Sequence, residues 1–448
     1  MKRISYRHYL LVLLMLSLAF NHMDRYALAL AQESIKHEFH LTDTELGLLS
    51  GIAFALFYSV MGIPIARWAD RGNRVRILAL TTALWSVMVA VSGFAANFAQ
   101  LLMIRIGVSV GEAGCVPPAH SLIPDYFIRA ERPRAAAIYA LGSGIGGMIG
   151  FFLAGWLNEL YGWRVMFKVL SVPGVALALL VAMTLKEPRE QRVSGDMASR
   201  GLELPVSCES PPRVGLVCRA LWYNVTFRHL LACLCAIFFV TSGVWQWQAT
   251  FFIRTYGMST GDLGTWLALI SGVSLVGIYL GGELMSRYAA NRERLQLKVM
   301  ALLYLTFGPL SSAVYLVPNR YLAFALLSVC TVGSYAINGP LFAMMQTLIP
   351  ARMRAISIAI VFLFANLVGL GLGPLAAGAL SDELRHFVGA QSLRYTLVLM
   401  CLVNLCVALE LYQARKSVSR DLELQLTNRG GVDSTEMLRA EACQSTLP

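Results

Sequence analysis

The chain has 448 residues, of which 57% are hydrophobic and 14% charged, and a formal net charge of +11. Soluble domains run at roughly 45–50% apolar and about 25% charged, so this composition excludes an ordinary soluble enzyme, a disordered chain, a collagen-like fibre and a small disulfide scaffold. A membrane protein remains, and twelve helices of about 22 residues each would absorb most of the apolar content.

Twelve apolar runs follow in chain order: 9–31, 45–66, 77–96, 98–119, 134–156, 164–185, 229–252, 263–285, 297–317, 321–346, 355–380 and 394–413. The first follows Lys2, Arg3 and Arg7 and contains Ala27-Leu28-Ala29, as a secretory signal would. Asp24 and Arg25 inside the run, and its length, favour a retained span instead. Residues 1–185 form one group of six spans and 229–413 a second. Between them, 186–228 is a polar linker with Pro205, Pro211 and Pro212. Its end mixes arginines with Leu216, Val217, Leu221, Trp222 and Phe227, the pattern of either an interfacial amphipathic helix or a plain connection. The tail 414–448 is polar and expected to be disordered.

With twelve spans and an inside N-terminus, 28 basic residues fall in inside segments and 7 in outside ones. That asymmetry predicts that both termini are cytoplasmic in a plasma or inner membrane, and it accounts for the net charge without any nucleic-acid partner. None of the six lysines follows a glycine, so a phosphate-cradling GxxxxGK[ST] loop is absent from the sequence. The nine cysteines include no CxxC pair and mostly lie in apolar runs, where they serve as small packing residues. His37 and His40 have helical spacing beside Glu33 and Glu38 but sit in an outer loop, which makes a poor metal site. No metal or cofactor is expected.

Two short patterns recur in order in both groups. Leu122-Ile123-Pro124 precedes Arg134-Ala135, as Leu348-Ile349-Pro350 precedes Arg354-Ala355. Ala66-Arg67-Trp68-Ala69-Asp70-Arg71 ends the second span, as Gly282-Glu283-Leu284-Met285-Ser286-Arg287 ends the eighth. Two six-span repeats of like orientation are the mark of a carrier with two rocking halves.

The chemistry concentrates in spans 1 and 4. Span 1 holds Asn21-His22-Met23-Asp24-Arg25-Tyr26, and span 4 holds Arg105 and Glu112. A charge at the bilayer centre costs roughly 2.5–3.5 kcal/mol on insertion scales, so such groups should face a polar interior and pair. Arg105 and Glu112 share a helix face about 10.5 Å apart, too far for direct pairing but within reach of a residue on span 1 or a substrate. Asp24 and Glu112 are therefore candidate proton carriers. Arg25 and Arg105 are their charge partners or the ligands of an anionic substrate group. A static ion-pair network orienting the two spans is the alternative. His22 is either a relay member or a satisfied packing residue. Trp245, Gln246, Gln248, Tyr335, Asn338 and Asn366 are candidates for an amphipathic pocket, with interhelical hydrogen bonding as the equal alternative. Glycines 142, 144, 146, 147, 150 and 155 in span 5, and 369, 371, 373 and 378 in span 11, permit close helix approach.

The stretch Ala66 to Arg74 resembles the loop after span 2 of the major facilitator superfamily, with alanine where that family usually has glycine. Its Gly72-Asn73-Arg74, together with Asp24-Arg25-Tyr26, Gly111-Glu112-Ala113 and the run Ser121 to Phe127, resembles the Spinster branch. Tyr161-Gly162-Trp163-Arg164, Arg254-Thr255-Tyr256-Gly257-Met258-Ser259 and Gly373-Pro374 before Leu380-Ser381-Asp382 extend the likeness over about residues 10–410. The resemblance implies an all-α polytopic membrane protein whose twelve transmembrane helices form two pseudo-symmetric six-helix bundles. It implies a monomeric, proton-coupled secondary transporter of an amphipathic organic molecule or lysolipid, working by alternating access and more often in export. It also implies proton coupling at Asp24 and Glu112, and an inner gate at Asp70 shared with Arg71, Arg74 and Arg134; for those three arginines a role in setting topology alone is the equal alternative. An organic-acid symporter of the same fold, or a receptor or channel, are the rival readings; no nucleophile–base pair points to an enzyme.

Overall fold

A computed structural model describes residues 2–128, 131–188, 214–288, 292–349 and 353–444. Most of the linker between the two groups of spans lies outside the described residues, as does the side chain of Asn338.

The described chain is helical almost throughout. In order it forms α1 (Lys2–Phe39), α2 (Asp43–Ser50), α3 (Ile52–Arg71), α4 (Arg74–Ser92), α5 (Phe98–Glu112), α6 (Val116–Tyr126) and α7 (Arg132–Thr184). Then come α8 (Val214–Tyr223), α9 (Val225–Tyr256), α10 (Thr260–Tyr288), α11 (Glu293–Leu316), α12 (Arg320–Thr347) and α13 (Arg354–Phe364). A π-helical stretch, Ala365–Leu372, leads into α14 (Gly373–Val388), and α15 (Ser392–Gln444) closes the chain.

Among the described residues, nine helical stretches are long and apolar enough to cross a membrane. Two of them, Arg134–Thr184 and Ile356–Asp421, each hold two expected spans. Within α7 the chain breaks at Gly162, whose φ of 77° lies in the left-handed region that glycine adopts without a steric penalty. The second pair is separated at Gly389, with φ of 60°. The remaining span is α1, whose apolar run is diluted by the polar stretch Asn21–Tyr26. Together these helices are consistent with twelve crossings. The last helix continues beyond residue 413 to Gln444. Its extension from Ala414 to Thr427 includes the good helix formers Ala, Arg, Lys, Leu, Glu and Gln and contains no Gly or Pro.

Lipid gives helices little hydrophobic reason to associate, so close van der Waals packing must hold them. The glycine stripe of α7 does this against α1. A Cβ on Gly142 would lie 2.3 Å from the Met15 carbonyl oxygen, and one on Gly146 would lie 2.3 Å from that of Ala19. Farther along, Gly155 meets Thr260 and Gly264 of α10 across the two halves, with a hypothetical Cβ 2.4 Å from the Thr260 oxygen. The hydrogen bonds and ion pairs that cross between the halves gather at residues 32–44 and 155–159 on one side and 250–265 and 381–382 on the other. These lie at one end of the bundle. The opposite end carries the arginine-rich turns around Arg67–Arg76 and Arg132–Arg134.

Candidate functional site

Helix α1 brings its polar stretch against α5, and the four intramembrane charges pair crosswise. Arg105 Nη1 donates to Asp24 Oδ2 at 2.6 Å. Arg25 Nε donates to Glu112 Oε2 at 2.8 Å, with Nη2 2.7 Å from the same oxygen. Neighbouring residues on α1 thus reach residues two turns apart on α5, because the long Arg25 side chain spans the offset. Asp24, Arg105 and Glu112 are buried and Arg25 nearly so. Phe54 and Tyr58 of α3 stack on one another and close the site, the Arg25 guanidinium lying 4.7 Å and 5.1 Å from their ring centres.

The pairing is lopsided. Each carboxylate uses one oxygen for its arginine, while Asp24 Oδ1 and Glu112 Oε1 are buried with no hydrogen-bond partner among the described residues. A small cavity is lined by Asp24 together with Ser86, Ser171 and Gly174. Both serines donate to their own helix carbonyls, so the hydroxyls offer acceptors to that space. His22 makes a 3.1 Å contact from Nδ1 to the Leu18 carbonyl, a local packing bond that takes no part in either ion pair.

Above these pairs, Tyr26 meets Trp245 of the other half edge-on at 4.8 Å and Phe151 at 4.6 Å. Gln246 and Gln248 are buried beside them, and Gln246 Nε2 has no partner among the described residues. Tyr335 is half-buried. Asn366 is half-buried in the π-helical stretch of the other half. The expected pocket residues thus divide into an aromatic cluster at mid-depth and separate polar positions.

Sequence reasoning missed the strongest polar assembly, at the closed end. Arg254 of α9 grips Asp43 with two nitrogens, at 2.8 and 2.9 Å, and Glu33 with its Nε at 2.8 Å. Asp43 also pairs with Lys36 and accepts a 2.7 Å bond from Ser381. Asp382 of α14 accepts from the backbone N–H groups of Asp43 and Thr44, at 3.1 and 2.7 Å, and from the Thr44 hydroxyl at 2.6 Å. One half of the protein therefore caps a helix N-terminus of the other, where free N–H groups favour an anion. The signal available in the sequence was the capping box Thr42–Glu45 beside an unexplained Asp43.

At the arginine-rich end, the expected gate residues separate. Asp70, Arg71 and Arg134 are exposed. Arg74 is buried wholly within the first half: it holds Glu187 and Asp125, the latter at 2.6 Å, and donates to the Ser121 carbonyl at 2.8 Å. Held by two carboxylates of its own half, Arg74 in this state clasps α4, α6 and the segment that follows α7.

The sequence pattern of the Major Facilitator Superfamily matches residues 14–374. An "MFS-type efflux pump" of Mycolicibacterium smegmatis is 30% identical over 412 residues, 90% of this chain and 91% of that protein. "Protein spinster homolog 1" of Xenopus tropicalis is 25% identical, covering 90% of this chain and 79% of that one. Among solved structures, an inward-facing, unoccupied bacterial homolog of the human lysosomal transporter Spinster superposes with a TM-score of 0.81 at 28% identity, covering 93% of this chain and 98% of that one.

Proposed function

The chain belongs to the Major Facilitator Superfamily as a Spinster-like membrane transporter, not an enzyme, and on that premise we propose that it moves an amphipathic organic molecule or lysolipid outward, coupled to protons, by alternating access. The observation that carries the coupling is the pair of half-satisfied carboxylates. Each of Asp24 and Glu112 holds its arginine with one oxygen and keeps the other buried with no donor among the described residues, which is a place for a proton. Protonating Glu112 takes away the charge partner of Arg25. Leaving one member of a buried pair alone costs about 3–5 kcal/mol, so proton occupancy and the arrangement of α1 against α5 are linked.

The basic-residue asymmetry supports placing both termini in the cytoplasm. The latch of Arg254, Asp43 and Asp382 is then the outer closure, and the arginine-rich end opens inward. In the opposite state Asp70, Arg71 and Arg134 close that inner end. The substrate enters between the halves toward Tyr26, Trp245, Gln246, Gln248, Tyr335, Asn338 and Asn366. Relatives named for galactarate/D-glucarate and sulfoacetate transport raise the organic-acid reading. Both site arginines are already neutralised by carboxylates, however, which favours an amphipathic cargo over a small anion. The carrier acts as a monomer.

The test is reconstitution in proteoliposomes with an imposed pH gradient and a panel of labelled lysophospholipids, amphipathic drugs and organic acids. Gradient-driven, saturable movement of an amphipathic compound is expected. Gradient-independent, channel-like flux would reject the carrier reading, and selective movement of organic acids would reject the cargo.

A further inference from the structure

We propose that α8 and the adjoining ends of α9 and α15 form a docking belt for anionic phospholipid headgroups. Helix α8 presents one side to the protein: Val217 and Leu221 are buried in the core of the second half with Phe227 and Leu230. It packs against α9 and against α13, the first segment of span 11. Its other side bears two large aromatic rings with little protein cover, Trp222 at 68% exposure and Tyr223 at 72%.

Each ring has a guanidinium over it. Arg219 lies 5.8 Å from the Tyr223 ring centre, and Arg228, on α9, lies 6.0 Å from that of Trp222. The pattern recurs on α15, where Arg415 and Lys416 lie 5.8 and 5.4 Å from the exposed ring of Tyr412. The two places are neighbours in the fold: His229 Nδ1 is 2.6 Å from Glu410 Oε2, and the Thr226 N–H donates to Asp421 at 2.8 Å. The two carboxylates thus face α9, and the four cations lie with the aromatic rings.

Only one environment satisfies both kinds of group. Hydrocarbon would strand the cations, and water would leave the rings hydrated. The headgroup layer accepts the amphipathic rings, and an anionic headgroup answers the charge. The occupant is therefore a negatively charged phospholipid of the bilayer, and its engagement steadies α8 beneath α13.

The experiment needs no substrate, so its result is independent of the proposed transport. The full chain is placed in nanodiscs of phosphatidylcholine alone or mixed with phosphatidylglycerol, and hydrogen–deuterium exchange of α8 is followed. Exchange should slow several-fold with phosphatidylglycerol, and salt should reverse the protection because surface charge interactions are screened. A combined Arg219→Gln, Arg228→Gln, Arg415→Gln, Lys416→Gln variant should show no lipid difference. Equal exchange of the wild-type chain in the two bilayers would overturn the proposal, and this comparison stands even if the variant does not fold. Inorganic phosphate reproducing the protection in phosphatidylcholine discs would overturn the lipid as occupant. Trp222→Ala, which keeps every charge, should weaken the protection; unchanged protection would contradict the role given to the ring.

Discussion

The two ends of the bundle use the same residue types to opposite effect. At the closed end, Arg254 and Asp382 of the second half hold Asp43, Thr44 and Glu33 of the first. At the arginine-rich end, Arg74 is gripped as firmly, but by Glu187 and Asp125 of its own half. The first arrangement opposes separation of the halves. The second stiffens one half and leaves it free to move as a body. What distinguishes a gate from a brace is thus which half supplies the partner, and burial or bond length alone does not reveal it.

Arg254→Ala should break this comparison hardest. It leaves Asp43 and Glu33 without their shared cation, at a cost of about 3–5 kcal/mol, and should open the latch end. Spin-label distances between α2 and α14 should lengthen. Arg74→Ala loses a comparable buried pair inside one half, so it should lower the melting temperature while leaving those inter-half distances unchanged. A shift in the distances would make Arg74 part of the gate after all. Asp382→Ala removes a carboxylate that takes three hydrogen bonds and should shift the same distances less than Arg254→Ala, because it frees neutral donors that water can satisfy instead of leaving buried carboxylates without their cation. Asp70→Asn should have the smallest effect on this state, because Asp70 is exposed here. It should slow turnover with little change in substrate affinity, and normal turnover would remove Asp70 from the gate.

The sequence made the spans legible because apolar runs of about 20 residues have few other uses, and it singled out Asp24, Arg25, Arg105 and Glu112 because intramembrane charges are costly. It could not show which carboxylate met which arginine. That depends on the axial offset of α1 against α5 and on the reach of the Arg25 side chain, neither of which leaves a periodicity. The latch was hidden for a related reason. Asp43 and Asp382 are distant in sequence and each looks like an ordinary charge at a helix end until α2 and α14 meet. Arg74 sits inside a motif that suggested gating, and its pairing with Glu187, beyond the end of the sixth span, left no periodicity to read.

The central claim is that the crossed pairs on α1 and α5 couple proton occupancy to conformation. Its most direct test is pH-gradient-driven transport by Asp24→Asn and Glu112→Gln in proteoliposomes, measured beside substrate exchange without a gradient in the same vesicles. Each substitution should abolish the gradient-driven component while exchange persists. Gradient-driven transport at the wild-type rate in both variants would contradict it and reduce the four charges to a scaffold.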